Sequence, residues 1–253
     1  MKRVAAMLLA GLTCAVMGQS TPIALVNARI IPIDGPEIER GYVIMHEGKL
    51  RAVGQGDLLP EMYGGPNPSD PRQVIDCEGK VLMPGLVDTH SHIGGFGGAD
   101  GSGPIQPGVR IRDSLNVRSS GFKRALSGGL TTLNVMPGSG HLSSGQTAYL
   151  KLRYGGDVAT IDDITIWNED GSPAGGLKMA NGTNSQRSDG GAFPGTRGRS
   201  AFLVREKFIK AQEYQRKIAD ANGDESKLPD RDLDLETLVE VLEGKRVVHH
   251  HTH

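Results

Sequence analysis

Two histidines one residue apart, His90 and His92, close the run Leu82-Met-Pro-Gly-Leu-Val-Asp-Thr-His-Ser-His-Ile93. Pro84-Gly85 breaks the chain just before Leu86-Val87-Asp88-Thr89, so a new element starts there. On a strand, residues i and i+2 project to one face. His90 and His92 therefore aim two imidazoles at one point, as two ligands of one metal ion would. The plainer alternative is a pair of surface histidines at a strand end, and a bare His-x-His does not separate the two.

The N-terminus has the order of an export signal. Lys2-Arg3 is a basic start, Val4 to Val16 is apolar, and Val16-Met17-Gly18 supplies small or tolerated residues before a cleavage point. The apolar run falls short of the ~20 residues of a comfortable membrane span. The spacing predicts cleavage after Gly18 and a periplasmic or secreted product with no stable membrane span; the alternative is a buried N-terminal helix. Of the two cysteines, Cys14 leaves with the signal and Cys77 stays, so no internal disulfide is possible. A net charge of -1 and the lack of any basic run argue against a nucleic-acid partner.

From Ile23 the chain turns β-branched and apolar as far as Ile33, with Asp34-Gly35-Pro36 as a turn. Gly41 to Met45 and Lys49 to Val53 read as a hairpin about Glu47-Gly48. Val74 to Cys77 and Lys80 to Met83 are two further short strands. Short strands with tight turns predict a small β-sandwich over residues 19–83.

Beyond the His-x-His, Gly94 to Pro104 is a glycine-rich loop without the Gly-Lys-Ser/Thr of a phosphate loop. Ser114 to Ser127 reads as an amphipathic helix ended by Gly128-Gly129, and Leu130 to Met136 as the next strand. Strand, helix and strand at this spacing predict a βαβ unit and a parallel sheet. Pro137 to Gln146 is a loop holding His141, a candidate substrate contact whose ordinary alternative is a solvent-exposed histidine. Thr147 to Leu152 reads as a third strand. Lys178 stands inside the apolar strand Ala174-Gly-Gly-Leu-Lys-Met-Ala180 with no acidic neighbour. A buried lysine loses its charge readily. It is either an edge lysine that reaches water or a neutral amine that takes up carbon dioxide and becomes an anionic carbamate. Helices are predicted over Ser200 to Ala221 and Asp234 to Leu242. The ending Val247-Val-His-His-His-Thr-His253 is strand-like, with His249, His251 and His253 on one face.

The string Pro84-Gly-Leu-Val-Asp-Thr-His-Ser-His92 resembles the first metal-binding strand of the amidohydrolase superfamily. Pro137 to Arg153 and Gly175 to Asn184 carry the same likeness, closest to the imidazolonepropionase-like and prolidase-like subgroup. The resemblance implies an α/β fold: a (β/α)8 TIM barrel over 84–253 behind an N-terminal β-sandwich that later strands complete. It implies one or two divalent metal ions, Zn²⁺ first, held by His90, His92, Lys178 as a bridging carbamate, and His251, with His249 as the other register. The activity implied is hydrolysis of a C–N bond, an amide or cyclic amide of a small molecule, by a metal-activated water. A mononuclear deaminase and a non-catalytic exported metal-binding protein are the rivals. The family pattern needs a further histidine on strand six and a general-base aspartate on strand eight. A whole barrel takes about 250 residues, and about 170 follow Leu82. The expectation is therefore a barrel truncated after about the fifth strand: an N-terminal fragment, inactive by itself.

Overall fold

The computed structural model describes residues 21–58, 73–95, 97–98, 100–153, 158–187 and 191–252. Residues 1–18, expected as an export signal and holding Cys14, lie outside these residues, as does His253. Among the described residues no helix is long and apolar enough to cross a membrane. The chain divides into two units, Met1–Pro84 and Gly85–His253.

The first unit holds β1 (Ile23–Ile30), β2 (Ile38–His46), β3 (Lys49–Gln55), β4 (Val74–Asp76) and β5 (Val81–Leu82). They form one mixed sheet in the order β3-β2-β1-β4, with β5 also on β1. The Glu47-Gly48 turn has positive φ at both residues, 52° and 71°, the geometry that suits a two-residue hairpin. Asn27, at φ 52°, bulges β1 and shifts its register against β2 between Leu25 and Ala28. The extra residue moves the later side chains of β1 to the other face. Ala24, Tyr42 and Ile44 thus make one buried cluster, and Ala28, Ile30 and Val43 another. The sandwich expectation meets a single sheet among the described residues, apolar on both faces.

The second unit is built from strands and the helices that cover one side of them. Strand β6 (Leu86–Ser91), helix α1 (Ser120–Ser127) and β7 (Leu130–Val135) form the expected βαβ unit, with β6 and β7 parallel. The helix is shorter than the Ser114–Ser127 span expected. The Asn116 side chain accepts from the Arg118 N–H at 3.0 Å, and Ser119 caps the helix by accepting from the Gly121 N–H. That local turn competes with helix, so only one 3₁₀ turn, Ile111–Ser114, precedes it.

The third strand runs the other way. β8 (Ser143–Gln146) is antiparallel to β10 (Leu177–Ala180), and β9 (Ala148–Lys151) is antiparallel to β7. Thr147 sits between β8 and β9, its N–H on the Gly176 carbonyl at 2.8 Å and its hydroxyl accepting from the Gly176 N–H at 2.8 Å. One extended stretch, 143–151, therefore links the two three-stranded sheets β6-β7-β9 and β11-β10-β8. β11 (Val248–His251) is parallel to β10. Helix α2 (Thr183–Gln186) is a single turn; α3 (Arg197–Ala221) and α4 (Leu233–Leu242) are the two later helices. Alternation on the strands sorts the side chains. Leu133, Val135, Ala148 and Leu150 pack with Phe122 of α1. Leu177 and Met179 pack with Ala211 of α3 and Leu238 of α4. Asn134, Tyr149, Lys178 and His249 have the opposite parity and face away from the helices.

Candidate metal centre

β6 and the residue that follows it deliver the two histidines, His90 on the strand and His92 just past its end. The Asp88 carboxylate accepts from the His90 backbone N–H at 3.0 Å, and the β6 register shifts between Asp88 and Ser91. The strand bends there, and both rings turn toward each other. Nε2 of His90 lies 3.2 Å from Nε2 of His92, with ring centroids 5.0 Å apart. Nδ1 of His92 lies 2.8 Å from the Met136 carbonyl oxygen. A carbonyl only accepts, so Nδ1 carries the proton and Nε2 of the neutral ring is bare.

β10 delivers the lysine to the same point. Nζ of Lys178 is 3.2 Å from Nε2 of His90 and 3.3 Å from Sδ of Met136. Lys178 is 1% exposed and heads the largest fully buried side chains. Among the described residues no carboxylate pairs with it. Burial alone pushes its pKa down to about 8. Burial also lowers the pKa of His90, with smaller contributions from Lys178, His92 and His251.

The terminal histidines separate. His249 pairs in register with Lys178, and His251 with Ala180. Nε2 of His249 is 2.9 Å from the Tyr149 hydroxyl and 3.1 Å from the Asn134 carboxamide nitrogen. That nitrogen also donates to the Thr89 carbonyl at 3.2 Å. The Asn134 NH₂ can only donate, so Nε2 of His249 accepts and its proton sits on Nδ1. His251, one strand repeat further on, brings its ring centroid within 6.2 Å of that of His90. Gly176 makes room for the His249 ring, since a Cβ there would collide with it and with the Val247 carbonyl oxygen.

His141 stands apart. It is 2% exposed, rests 5.4 Å from the Phe193 ring, and both its ring nitrogens are buried without a partner. Burial and the nearby Arg187 lower its pKa. No hydrogen bond or ring contact joins it to His90, His92 or Lys178. The exposed-loop alternative is removed by its burial.

The donor set fits a divalent ion of the borderline class. Two nitrogens on one tetrahedral ion at about 2.0–2.1 Å are about 3.3 Å apart, close to the 3.2 Å between the two Nε2 atoms. Both Nε2 atoms and the Lys178 amine meet at one place. Among the described residues no three His, Cys, Asp or Glu side chains close on a single point; the third nitrogen there is the lysine's. The sequence reading missed Met136, Asn134 and Tyr149. An asparagine at inward parity between Leu133 and Val135 was the available signal, because a buried polar group needs partners.

No family model matches the chain. It is 32% identical over 133 residues to the dihydroorotase of Ehrlichia chaffeensis, a match covering 52% of this chain and 26% of that protein. It is 41% identical over 64 residues to the imidazolonepropionase of Bacillus cytotoxicus, covering 25% of this chain and 13% of that one. The matched regions thus span about a quarter or less of these curated relatives. Among solved structures, an amidohydrolase from Thermotoga maritima superposes with a TM-score of 0.77 at 32% identity, covering 91% of this chain and 58% of its own. With paired histidines at the end of β6 and a buried lysine facing them, these likenesses mean that the chain belongs to the amidohydrolase superfamily.

Proposed function

We propose that this chain carries the metal-binding half of an exported hydrolase acting on the C–N bond of a small amide or cyclic amide. The single observation that carries the reading is the convergence of His90 Nε2, His92 Nε2 and Lys178 Nζ, each 3.2 Å from its neighbour through His90. His90, His92, Lys178 and His251 would hold one or two divalent ions, and the mix of imidazole with an anionic oxygen favours Zn²⁺. A bound divalent ion lowers the pKa of a water and polarises a carbonyl oxygen.

The chain's own residues do the rest. The neutral ring of His92 is held in one tautomer by the Met136 carbonyl, which leaves its lone pair on Nε2. Lys178 has no carboxylate to keep it an ammonium. As a free amine it adds carbon dioxide, forming an N–C bond and releasing one proton, to give the carbamate oxygen ligand. His249 is held in the Tyr149–Asn134 trio, which leaves His251 as the ligand of β11. His141, on the loop between β7 and β8, lines the substrate side.

The fold reading is a (β/α)8 barrel of which the described strands form part, with the first-unit sheet as part of a β-sandwich. The terminal strands β6 and β11 support it, since each has one neighbour among the described strands. Leu86, Val87 and Val247 stand 48%, 62% and 61% exposed there, as strands awaiting further neighbours would. Residues 1–18 act as the export signal, and the product is periplasmic or secreted. Further neighbours of β6 and β11 would bring the remaining ligands and the general base.

The test is hydrolysis of an amide and cyclic-amide panel by the full-length protein, stripped with a chelator and reloaded with Zn²⁺. Turnover that vanishes and returns with the metal is expected. Release of ammonia from an amino-substituted ring would favour a deaminase, and no metal-dependent turnover a binding protein.

A further inference from the structure

Met136 touches both halves of the proposed centre, and beyond the carbonyl that fixes His92 its side chain has no role so far. It lies just past β7, is 1% exposed, and is held at three atoms. Its N–H donates to the Ser91 carbonyl at 2.9 Å, the residue between the two histidines. Its carbonyl oxygen takes the His92 Nδ1 proton at 2.8 Å. Its Sδ accepts from Lys178 Nζ at 3.3 Å. The first two contacts use backbone and survive any substitution that keeps the strand. The third is made by the side chain alone.

We infer that Met136 is a positioning residue that sets the Lys178 amine against His90 through its thioether. This rests on the metal-centre reading above. A lysine chain has four rotatable bonds, and its amine needs acceptors to hold one direction. In this site it has two, His90 Nε2 and Met136 Sδ. Sδ is a weak acceptor. It fixes the direction of the nitrogen without supplying the negative charge that would keep it an ammonium. Asn or Gln there would direct the amine as well; Asp or Glu would pair with it. Removing the acceptor frees Nζ to swing away from His90, while His92 keeps its tautomer because its partner is a backbone oxygen. Groups that orient metal ligands in this way are worth about 10–100-fold in metal affinity.

The experiment compares Met136→Leu and Met136→Gln in the full-length protein by competing Zn²⁺ against a chromophoric chelator. Leu conserves the volume of Met and is well tolerated in cores; Gln has similar length and restores an acceptor. Met136→Leu should weaken Zn²⁺ binding by about 10–100-fold, Met136→Gln should recover most of that loss, and the ¹⁵N shifts of His92 should report the same tautomer in both. Unfolding midpoints of the metal-free proteins are read alongside. Should Met136→Leu not fold, a Met136→Gln protein that binds Zn²⁺ as weakly as a Lys178→Met variant overturns the inference. Wild-type affinity in a folded Met136→Leu overturns it, and so does a Gln variant as weak as Leu, which would make the effect one of packing. If wild type itself binds no Zn²⁺, or binds it equally after His90→Ala and His92→Ala, the metal-centre reading fails and this inference with it.

Discussion

The amine of Lys178 lies 3.2 Å from Nε2 of His90, across 88 residues of sequence. Strand β10 places a buried lysine against an imidazole from β6, with no carboxylate to balance it. An ordinary core would put an apolar residue there. The proposed site chemistry accounts for the amine.

The cost of that burial fixes a pH dependence. The folded pKa of Lys178 is about 8, against about 10.4 unfolded. Between these values the unfolded chain binds more protons than the folded one, so stability rises with pH. Below pH 8 the full cost is present. Compared with Lys178→Met, the metal-free wild type should gain up to about 3 kcal/mol from pH 8 to 10.5. Parallel denaturant curves for the two proteins check this; a constant difference across the range would mean that Lys178 is not buried in solution.

The Tyr149–His249–Asn134 trio should be sensitive to small changes. Tyr149→Phe removes one donor to His249 and should cost about 1 kcal/mol. Gly176→Ala pushes a methyl into the His249 ring and should cost more, about 1–3 kcal/mol as an overpacked site. Unfolding midpoints rank the two, and a harmless Gly176→Ala would place the His249 ring elsewhere.

His141 is predicted to trade stability for use. Both its nitrogens are buried without partners, which costs about 1–3 kcal/mol. His141→Leu should therefore raise the unfolding midpoint by about 2–4 °C per kcal/mol recovered. Because burial lowers the folded pKa of His141, the wild type should weaken further as pH falls below about 6.5, and the gap to the Leu variant should widen. A raised KM in the full-length enzyme would mark the substrate contact. Unchanged kinetics with raised stability would leave His141 a core residue.

Export makes a direct prediction. Secreted or periplasmic material should begin at Gln19, read by N-terminal sequencing. Material beginning at Met1 would remove the signal reading of residues 1–18.

The sequence and the structure agree where the signal is local. The His-x-His spacing marks the two rings that meet at the end of β6, though the bend that brings them together is not in the spacing, and a lysine among apolar neighbours marks Lys178. The choice between His249 and His251 was not legible, because both have the same strand parity. Tyr149 and Asn134 settle where His249 sits, and they lie 100 and 115 residues away. The direction of the third strand was equally hidden. The apolar pattern of Thr147 to Leu152 reads the same from either end, and only the pairing of β9 with β7 and of β8 with β10 makes the stretch antiparallel. The start of α1 was misread because the Asn116 turn outweighs the amphipathic pattern before Ser119. Met136 looked like one more apolar residue, since the contacts that single it out come from β6 and β10.

The central claim is that His90 and His92 hold a metal ion together with Lys178. The most direct measurement is the Zn²⁺ content and affinity of the full-length protein before and after His90→Ala/His92→Ala. Changes behind the ligands cost about 10–100-fold, so losing two ligands should cost more and leave the purified double variant without metal. Equal Zn²⁺ in wild type and double variant by elemental analysis would contradict the account.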